Sequence, residues 1–297
     1  MRHAMALMLV TVLFAGGAAL ADAPIPLHQL EGSGGVVLTE MAYLVNPAGA
    51  DSENWYGMPS LSLGALIANN KNANMATISE TLFDRLELSY SFHRFDIGDW
   101  SSDTGIHTTH DNIYMHVLNA RVAILNEGDF DMDWLPALTA GFHYKNNIRI
   151  VPLVRDAGIV PENAGLSDDD GEEYTLTATK KISNLLPRDI YVSATARSTD
   201  AAQIGYLGFT HDRRIVFEGY LAYCLLDNLI VGAEYRQKPD AYHSIPGLVE
   251  REDDWWSLAA SYIVNENWNF TVAYANLGRM LNHQEPWSVW FQLKCEL

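Results

Sequence analysis

The strongest constraint on this chain is a two-residue alternation of apolar and polar side chains, renewed segment after segment almost to its last position. Successive side chains on a strand point to opposite faces, so such segments read as strands with one apolar face. The last is the clearest. Trp287, Val289, Phe291, Leu293, Cys295 and Leu297 share one face, and Ser288, Gln292, Lys294 and Glu296 share the other with Trp290. Leu86, Leu88, Tyr90 and Phe92 likewise oppose Glu87, Ser89, Ser91 and His93. Comparable segments lie around 118–124, 138–145, 174–181, 190–197, 215–225, 229–237, 254–264 and 268–275, with weaker ones near 58–68 and 74–82.

These segments run to about ten residues, the length a tilted strand needs to cross hydrocarbon. Beyond the N-terminus, no stretch reaches the roughly 18 uncharged apolar residues of a spanning helix. The polar faces are small and hydroxylic, with scattered charges of both signs, as a narrow wet lumen needs. Aromatic residues gather near segment ends, where a belt at the membrane interface would sit. The expected fold is all-β: a transmembrane antiparallel β-barrel of about 12 strands, rather than a soluble sandwich whose strands also alternate.

The connections support an even count. Short links fall near 83–84, 126–132, 183–188, 226–228 and 265–267, and long polar links near 97–110, 146–172, 199–213, 239–253 and 278–286. They alternate from the second strand onward. Bacterial barrels have short periplasmic turns and long outer loops, which places both termini in the periplasm. A further hairpin inside 199–213, where Ile204, Tyr206 and Phe209 stand, would give fourteen strands and break the parity.

Residues 1–23 read as a secretory leader: Arg2, the uncharged stretch Ala4 to Leu20, then Ala21-Asp22-Ala23 before the cleavage point. Residues 57–297 are assigned to the barrel. Residues 24–56 carry Gly32, Gly34, Gly35 and the run Val36-Val37-Leu38. They either plug the lumen or add a strand, and the plug is preferred because twelve strands already close a barrel. The expected location is the outer membrane of a Gram-negative bacterium.

Composition removes other classes. Nineteen Lys+Arg against 37 Asp+Glu give a net charge of −18. That opposes nucleic-acid binding, which needs a cationic face, and an electrostatic lock onto anionic lipid. Two cysteines give neither a disulfide scaffold nor a metal framework. Cys224 is expected to face the lumen and Cys295 the lipid, both as free thiols. No cofactor is implied. The expected partners are outer-membrane lipid and lipopolysaccharide, the barrel-assembly machinery during biogenesis, and a small solute.

Alternation assigns the lumen-facing candidates: Glu87, His93, Arg121, His143, Lys145, Lys181, Arg197, Glu218, Glu234, Arg236, Lys294 and Glu296. Charges at membrane depth need water or a partner. This near-balanced set predicts ion pairs across neighbouring strands, either as the selectivity lining of a pore or as a structural network filling a narrow lumen. The run Asp168-Asp169-Asp170-Gly171-Glu172-Glu173 falls in the longest outer loop. Asp168, Asp169 and Asp170 are weak candidates for Ca²⁺, which takes oxygen ligands, against the simpler reading of a solvated charge run. Tyr242-His243-Ser244 sets a His beside a Ser, but neighbours on an extended chain point apart. No catalytic residue is assigned, and an enzyme is not expected. Trp255, Trp256, Trp268, Trp287 and Trp290 are read as interface belt and barrel packing.

Four stretches carry a family resemblance: Asp84 to Asp96, Thr199 to Phe209, Asn228 to Asp240 with its Glu-Tyr-Arg-Gln-Lys-Pro-Asp, and Asp253 through Gly278. Together they resemble the proteobacterial domain-of-unknown-function family thirty thirty-four, predicted outer-membrane proteins. The resemblance implies a barrel-like fold and that location, with no activity or catalytic residues to carry over. The chain departs from the usual aromatic barrel terminus by ending in Leu297. The expected function is a channel or transporter for small solutes. The alternatives are a structural or surface-interaction protein with a closed lumen and, further off, a lipid-modifying hydrolase.

Overall fold

A computed structural model describes residues 26–49, 52–69, 71–98, 112–156, 158, 160–242, 251–280 and 283–297. The expected leader, His243 and Ser244 lie outside these residues. Two short strands come first, β1 (Leu27–His28) and β2 (Gly34–Gly35), paired with each other. Eleven long strands follow: β3 (Ser60–Ala68), β4 (Asn72–Leu82), β5 (Leu86–Asp96), β6 (Asn112–Leu125), β7 (Ala137–Asn147), β8 (Asp170–Ile182), β9 (Ile190–Ala201), β10 (Phe209–Leu226), β11 (Leu229–Arg236), β12 (Trp255–Ile263) and β13 (Trp268–Asn276). A small hairpin, β14 (Arg279–Met280) and β15 (His283–Gln284), precedes the last long strand, β16 (Ser288–Glu296).

The twelve long strands close into one antiparallel barrel, sealed where β16 pairs β3 with Leu293 opposite Leu63. Both the all-β barrel and its twelve strands agree with the alternation. Register follows from that pattern. Between β4 and β5, the buried Thr77 and Ser79 face Ser91 and Ser89, while Ile78 faces Tyr90 on the outside. A slip of one residue would turn every hydroxyl outward and every aliphatic inward, so the pairing is strongly specified. The outer surface carries Leu63, Ile78, Leu88, Leu118, Phe217, Leu258 and Leu293, all exposed. A continuous apolar band of this kind is what a barrel turns to lipid.

The turns at 83–85, 126–136, 183–189, 227–228 and 264–267 gather at one end, periplasmic by the loop-length rule. The link expected over 199–213 is only 202–208, because β9 and β10 run further than the sequence suggested. It holds no extra hairpin. It turns inward instead, with Ile204, Tyr206 and Leu207 buried. In the 148–169 link, α1 (Ile150–Asp156) and α2 (Pro161–Ala164) flank an apolar patch. There Ile150, Leu153 and Leu166 join Ile204, Tyr206 and Leu207 in one cluster that also takes in Phe95, Ile113, Met115, Trp255 and Trp290. Trp256, Trp268 and Trp287 are exposed as a belt requires, whereas Trp255 and Trp290 are buried inside.

A barrel of eight strands is filled by its own side chains, and a wider one is not. With twelve strands the wall alone leaves space. Residues 26–45 occupy it.

Candidate functional site

The inner segment enters and leaves at the periplasmic end. At its start, the Pro26 carbonyl accepts a hydrogen bond from Lys294 Nζ (2.8 Å), and the His28 ring lies between Ser62 Oγ (2.8 Å) and Ser79 Oγ (2.7 Å). It climbs past Asn119, which donates to the Glu31 carbonyl at 3.0 Å. Leu30, Val37 and Leu38 join the apolar cluster under the outer loops. The descent brings the Ala42 amide to Thr179 Oγ1 (2.7 Å) and the Val45 amide to Glu87 (2.8 Å). Gly57 then bonds the Thr81 carbonyl beside the 83–85 turn, and β3 begins.

Two glycines permit this path. Gly32 has φ +91°, a left-handed conformation that side chains disfavour. A Cβ on Gly35 would lie 2.1 Å from the Thr39 carbonyl oxygen, so the return turn closes only without one.

The wall meets the segment with charge. Among the described residues, five cations and four carboxylates on the long strands are buried: Arg121, Lys145, Arg197, Arg236 and Lys294, with Glu87, Glu173, Glu218 and Glu234. Taking ions from water costs several kcal/mol each unless partners replace the water, and here they do. Arg121 pairs Glu87 at 3.1 Å and donates to the carbonyls of Gly34 (2.9 Å) and Met41. Glu87 in turn accepts the Gly34 amide at 2.9 Å. Lys145 pairs Glu173 at 2.6 Å and also Glu31. Arg197 reaches Glu218 (2.5 Å), Glu173 (2.8 Å), Glu40 (3.4 Å) and Glu31 (3.5 Å). Arg236 reaches Glu31 (2.8 Å) and Glu218 (3.2 Å). Glu234 caps the tip of the segment: one of its oxygens accepts the amides of Val37 (3.1 Å), Leu38 (3.0 Å) and Thr39 (3.0 Å) and the Thr39 hydroxyl (2.8 Å). Three successive amides converging on one oxyanion form a backbone nest.

Burial alone would raise the Glu31 carboxyl. Arg236, Lys145 and Arg197 outweigh it and hold the group well below the usual carboxylate range. Burial opposes ionisation of Glu40 as well, and His143, Arg197 and Arg121 bring its carboxyl down to about 2. Both therefore stay ionised at neutral pH.

The two wall histidines buried in the lumen, His93 and His143, bridge neighbouring groups. His143 lies 3.1 Å from Glu40, 3.0 Å from Thr175 Oγ1 and 2.7 Å from Asn119 Oδ1. His93 joins Ser91 (2.9 Å) to the hydroxyl of Tyr206 on the inward loop (2.9 Å). One gap between the segment and the β9–β12 wall is about 30 Å³, lined in part by Met41, Tyr191 and Tyr220. That is room for a water or two.

The family model described as "Protein of unknown function (DUF3034)" matches residues 26–293. The chain belongs to this family. Solved structures place it among outer-membrane barrels. The KdgM porin, in complex with disordered oligogalacturonate, is 12% identical with TM-score 0.50, the match covering 80% of this chain and 99% of that one. The NanC porin is 9% identical over 80% and 98% (TM-score 0.48), and LpxR from Salmonella typhimurium 10% over 80% and 100% (TM-score 0.46). At such identities the likeness shows the fold alone. Comparison with curated proteins finds no match.

In this DUF3034 barrel, two of the four stretches that carry the resemblance hold bonded partners of the inner segment, Glu87 in the first and Glu234 and Arg236 in the third, while the second forms the inward loop whose Tyr206 bonds His93 of the wall. Of the alternation-derived candidates, Glu87, His93, Arg121, His143, Lys145, Arg197, Glu218, Glu234, Arg236 and Lys294 are buried in the lumen. Lys181 stands apart at the periplasmic rim, about a third exposed, paired with Asp189 at 3.0 Å. Glu296 sits beside it in kind, a quarter exposed and bonded to Lys294.

The acidic run departs from its reading as outer loop. Strand β8 starts at Asp170, and Glu173 is a buried wall residue. It keeps phase with Thr175, Thr177 and Thr179, the signal that would have found it. Asp168 bridges to Phe209 in the backbone, and the Asp169 carbonyl accepts the Asn147 amide. Among the described residues, no group of three or more potential ligand side chains converges as a metal site. Cys224 packs with the inner cluster of Met41 and Tyr220, Cys295 lines the apolar outer face with Leu61 and Leu293, and both are free. Glu31 and Glu40 were absent from the sequence-derived set.

Proposed function

We propose that this outer-membrane barrel is a channel for small solutes, held closed by its own residues 26–49. One observation carries the reading: the lumen is filled by a piece of chain that belongs to none of the twelve barrel strands, tethered at the periplasmic end and fixed by ion pairs and hydrogen bonds to hydrophilic strand positions as well as by Leu30, Val37 and Leu38 in the apolar cluster. Water entering the lumen can replace the polar contacts one for one, which it cannot do in an apolar core. The wall keeps internal pairs without the segment, Arg121 with Glu87, Lys145 with Glu173, and Arg197 and Arg236 with Glu218. A structural barrel with a permanently closed lumen is the competing reading, favoured by how completely the buried charges are paired.

A channel of this kind needs no catalytic group. His28, His93 and His143 are buried and occupied by hydroxyl, amide or carboxylate partners, a poor setting for a general base that must reach substrate. Lipopolysaccharide and the assembly machinery remain its expected partners.

The test is single-channel conductance in a planar bilayer, comparing the mature chain with a deletion of residues 26–49. The intact protein should stay mostly closed and the deletion should give steady openings. Silence from a deletion that still shows heat-modifiable gel mobility, the mark of a folded barrel, would refute the channel and favour the closed structural role.

A further inference from the structure

Glu31 is the point where three strands converge. Lys145 from β7, Arg197 from β9 and Arg236 from β11 all reach its carboxylate, and Arg197 and His143 also reach Glu40. These two acids come from the segment, not from the wall. With them withdrawn, Lys145, Arg197 and Arg236 retain only Glu173 and Glu218 as paired carboxylates, three cations against two. Glu234 loses the segment's tip amides in the same step and keeps Ser257, so over the whole wall, among the described residues, five buried cations then face four carboxylates and the lumen stays cationic by one charge. Both segment carboxylates touch the same terminal nitrogen of Arg197, at 3.5 Å and 3.4 Å. They are therefore no farther apart than the two ends of a short dicarboxylic acid.

Resting on the channel reading, we propose that Lys145, Arg197 and Arg236, with His143, form a binding site for a small dicarboxylate solute, and that Glu31 and Glu40 occupy it as stand-ins while the barrel is closed. Forked guanidinium donors and an ammonium match carboxylate oxygens in number and geometry. A solute that binds here competes with the segment, so arrival of cargo and release of the closure are one equilibrium.

The experiment uses the full-length chain carrying Glu31→Gln and Glu40→Gln, in detergent, with glutarate as the probe, acetate as the single-carboxylate control and 1,5-diaminopentane as the charge-reversed control. Glutarate should raise the unfolding temperature of the double variant with rising concentration, acetate should do so only at far higher concentration, and the diamine should not. Adding Arg197→Gln should abolish the glutarate shift. The wild-type chain gives a measurement independent of variant folding: glutarate should lower the hydrogen-exchange protection of residues 29–41, and the diamine should leave it unchanged. Equal effects of diamine and glutarate, or no effect of glutarate in either protein, would overturn the site. Glutarate binding together with silent bilayers from the deletion would refute the channel and leave the site standing. Conduction without glutarate binding would do the reverse.

Discussion

Glu234→Ala is the perturbation that isolates the inner segment from the wall. The carboxylate accepts three consecutive amides, Val37, Leu38 and Thr39, at 3.0–3.1 Å, in a part of the lumen where neither Leu38 nor Thr39 is more than 1% exposed. Removing an acceptor strands each buried donor at a cost of about 1–3 kcal/mol. Alanine leaves room for water to enter, and deleting the carboxylate relieves its own desolvation, so the low end applies. Three donors at that end give about 3 kcal/mol against the docked segment, or two decades in its opening equilibrium at about 1.4 kcal/mol per decade. Hydrogen exchange followed by mass spectrometry should show protection of residues 34–40 falling about 100-fold, with strands β4 to β9 unchanged. Glu234→Gln keeps an acceptor oxygen and should lose far less. Unchanged protection in Glu234→Ala would mean that the nest does not hold the segment. An equal loss in the wall strands would mean that segment and wall unfold as one unit, contrary to the gating argument.

Gly35→Ala should release the segment without touching any charge, because its Cβ would meet the Thr39 carbonyl at 2.1 Å; limited proteolysis within 30–45 should become faster while the barrel keeps its heat-modifiable mobility. Lys145→Met leaves Glu31 and Glu173 short of a buried cation and should cost about 3–5 kcal/mol, read as a large fall in unfolding temperature. Lys181→Met acts at the part-exposed rim, where the Asp189 pair is water-screened, and should stay within about 1 kcal/mol by the same measurement. Glu40 has a folded-state value near 2, below the unfolded carboxyl value of about 4.3, so its stabilisation is complete above the latter and is lost as pH falls through the former. The difference in unfolding temperature between wild type and Glu40→Gln should hold from pH 7 to about 5 and close near pH 2; a difference unchanged at pH 2 would contradict the assignment.

The alternation determined a great deal by itself. The pleat of a strand is a local, two-residue property, so Glu87, Arg121, Lys145, Arg197, Glu218, Glu234 and Arg236 could be placed on the inner face before any pairing was known. Strand number and loop parity followed from where that period restarts. Glu173 was legible too, had the phase of Thr175 and Thr177 been carried back through the acidic run. Glu31 and Glu40 were not. They stand in a glycine-broken stretch with no period, where an isolated acid looks like any solvated one. Their charged partners lie more than a hundred residues away, and a segment's position inside a barrel is fixed only after the wall has closed and its inward charges have acquired positions in space. Likewise, nothing local in 202–208 told an outward loop from an inward one. The bonds between His93 and Tyr206 and from Lys145 to the Ile204 carbonyl turn it inward, and both wall partners come from strands distant in sequence. The sequence determined which side chains line the lumen; tertiary structure decided what fills it.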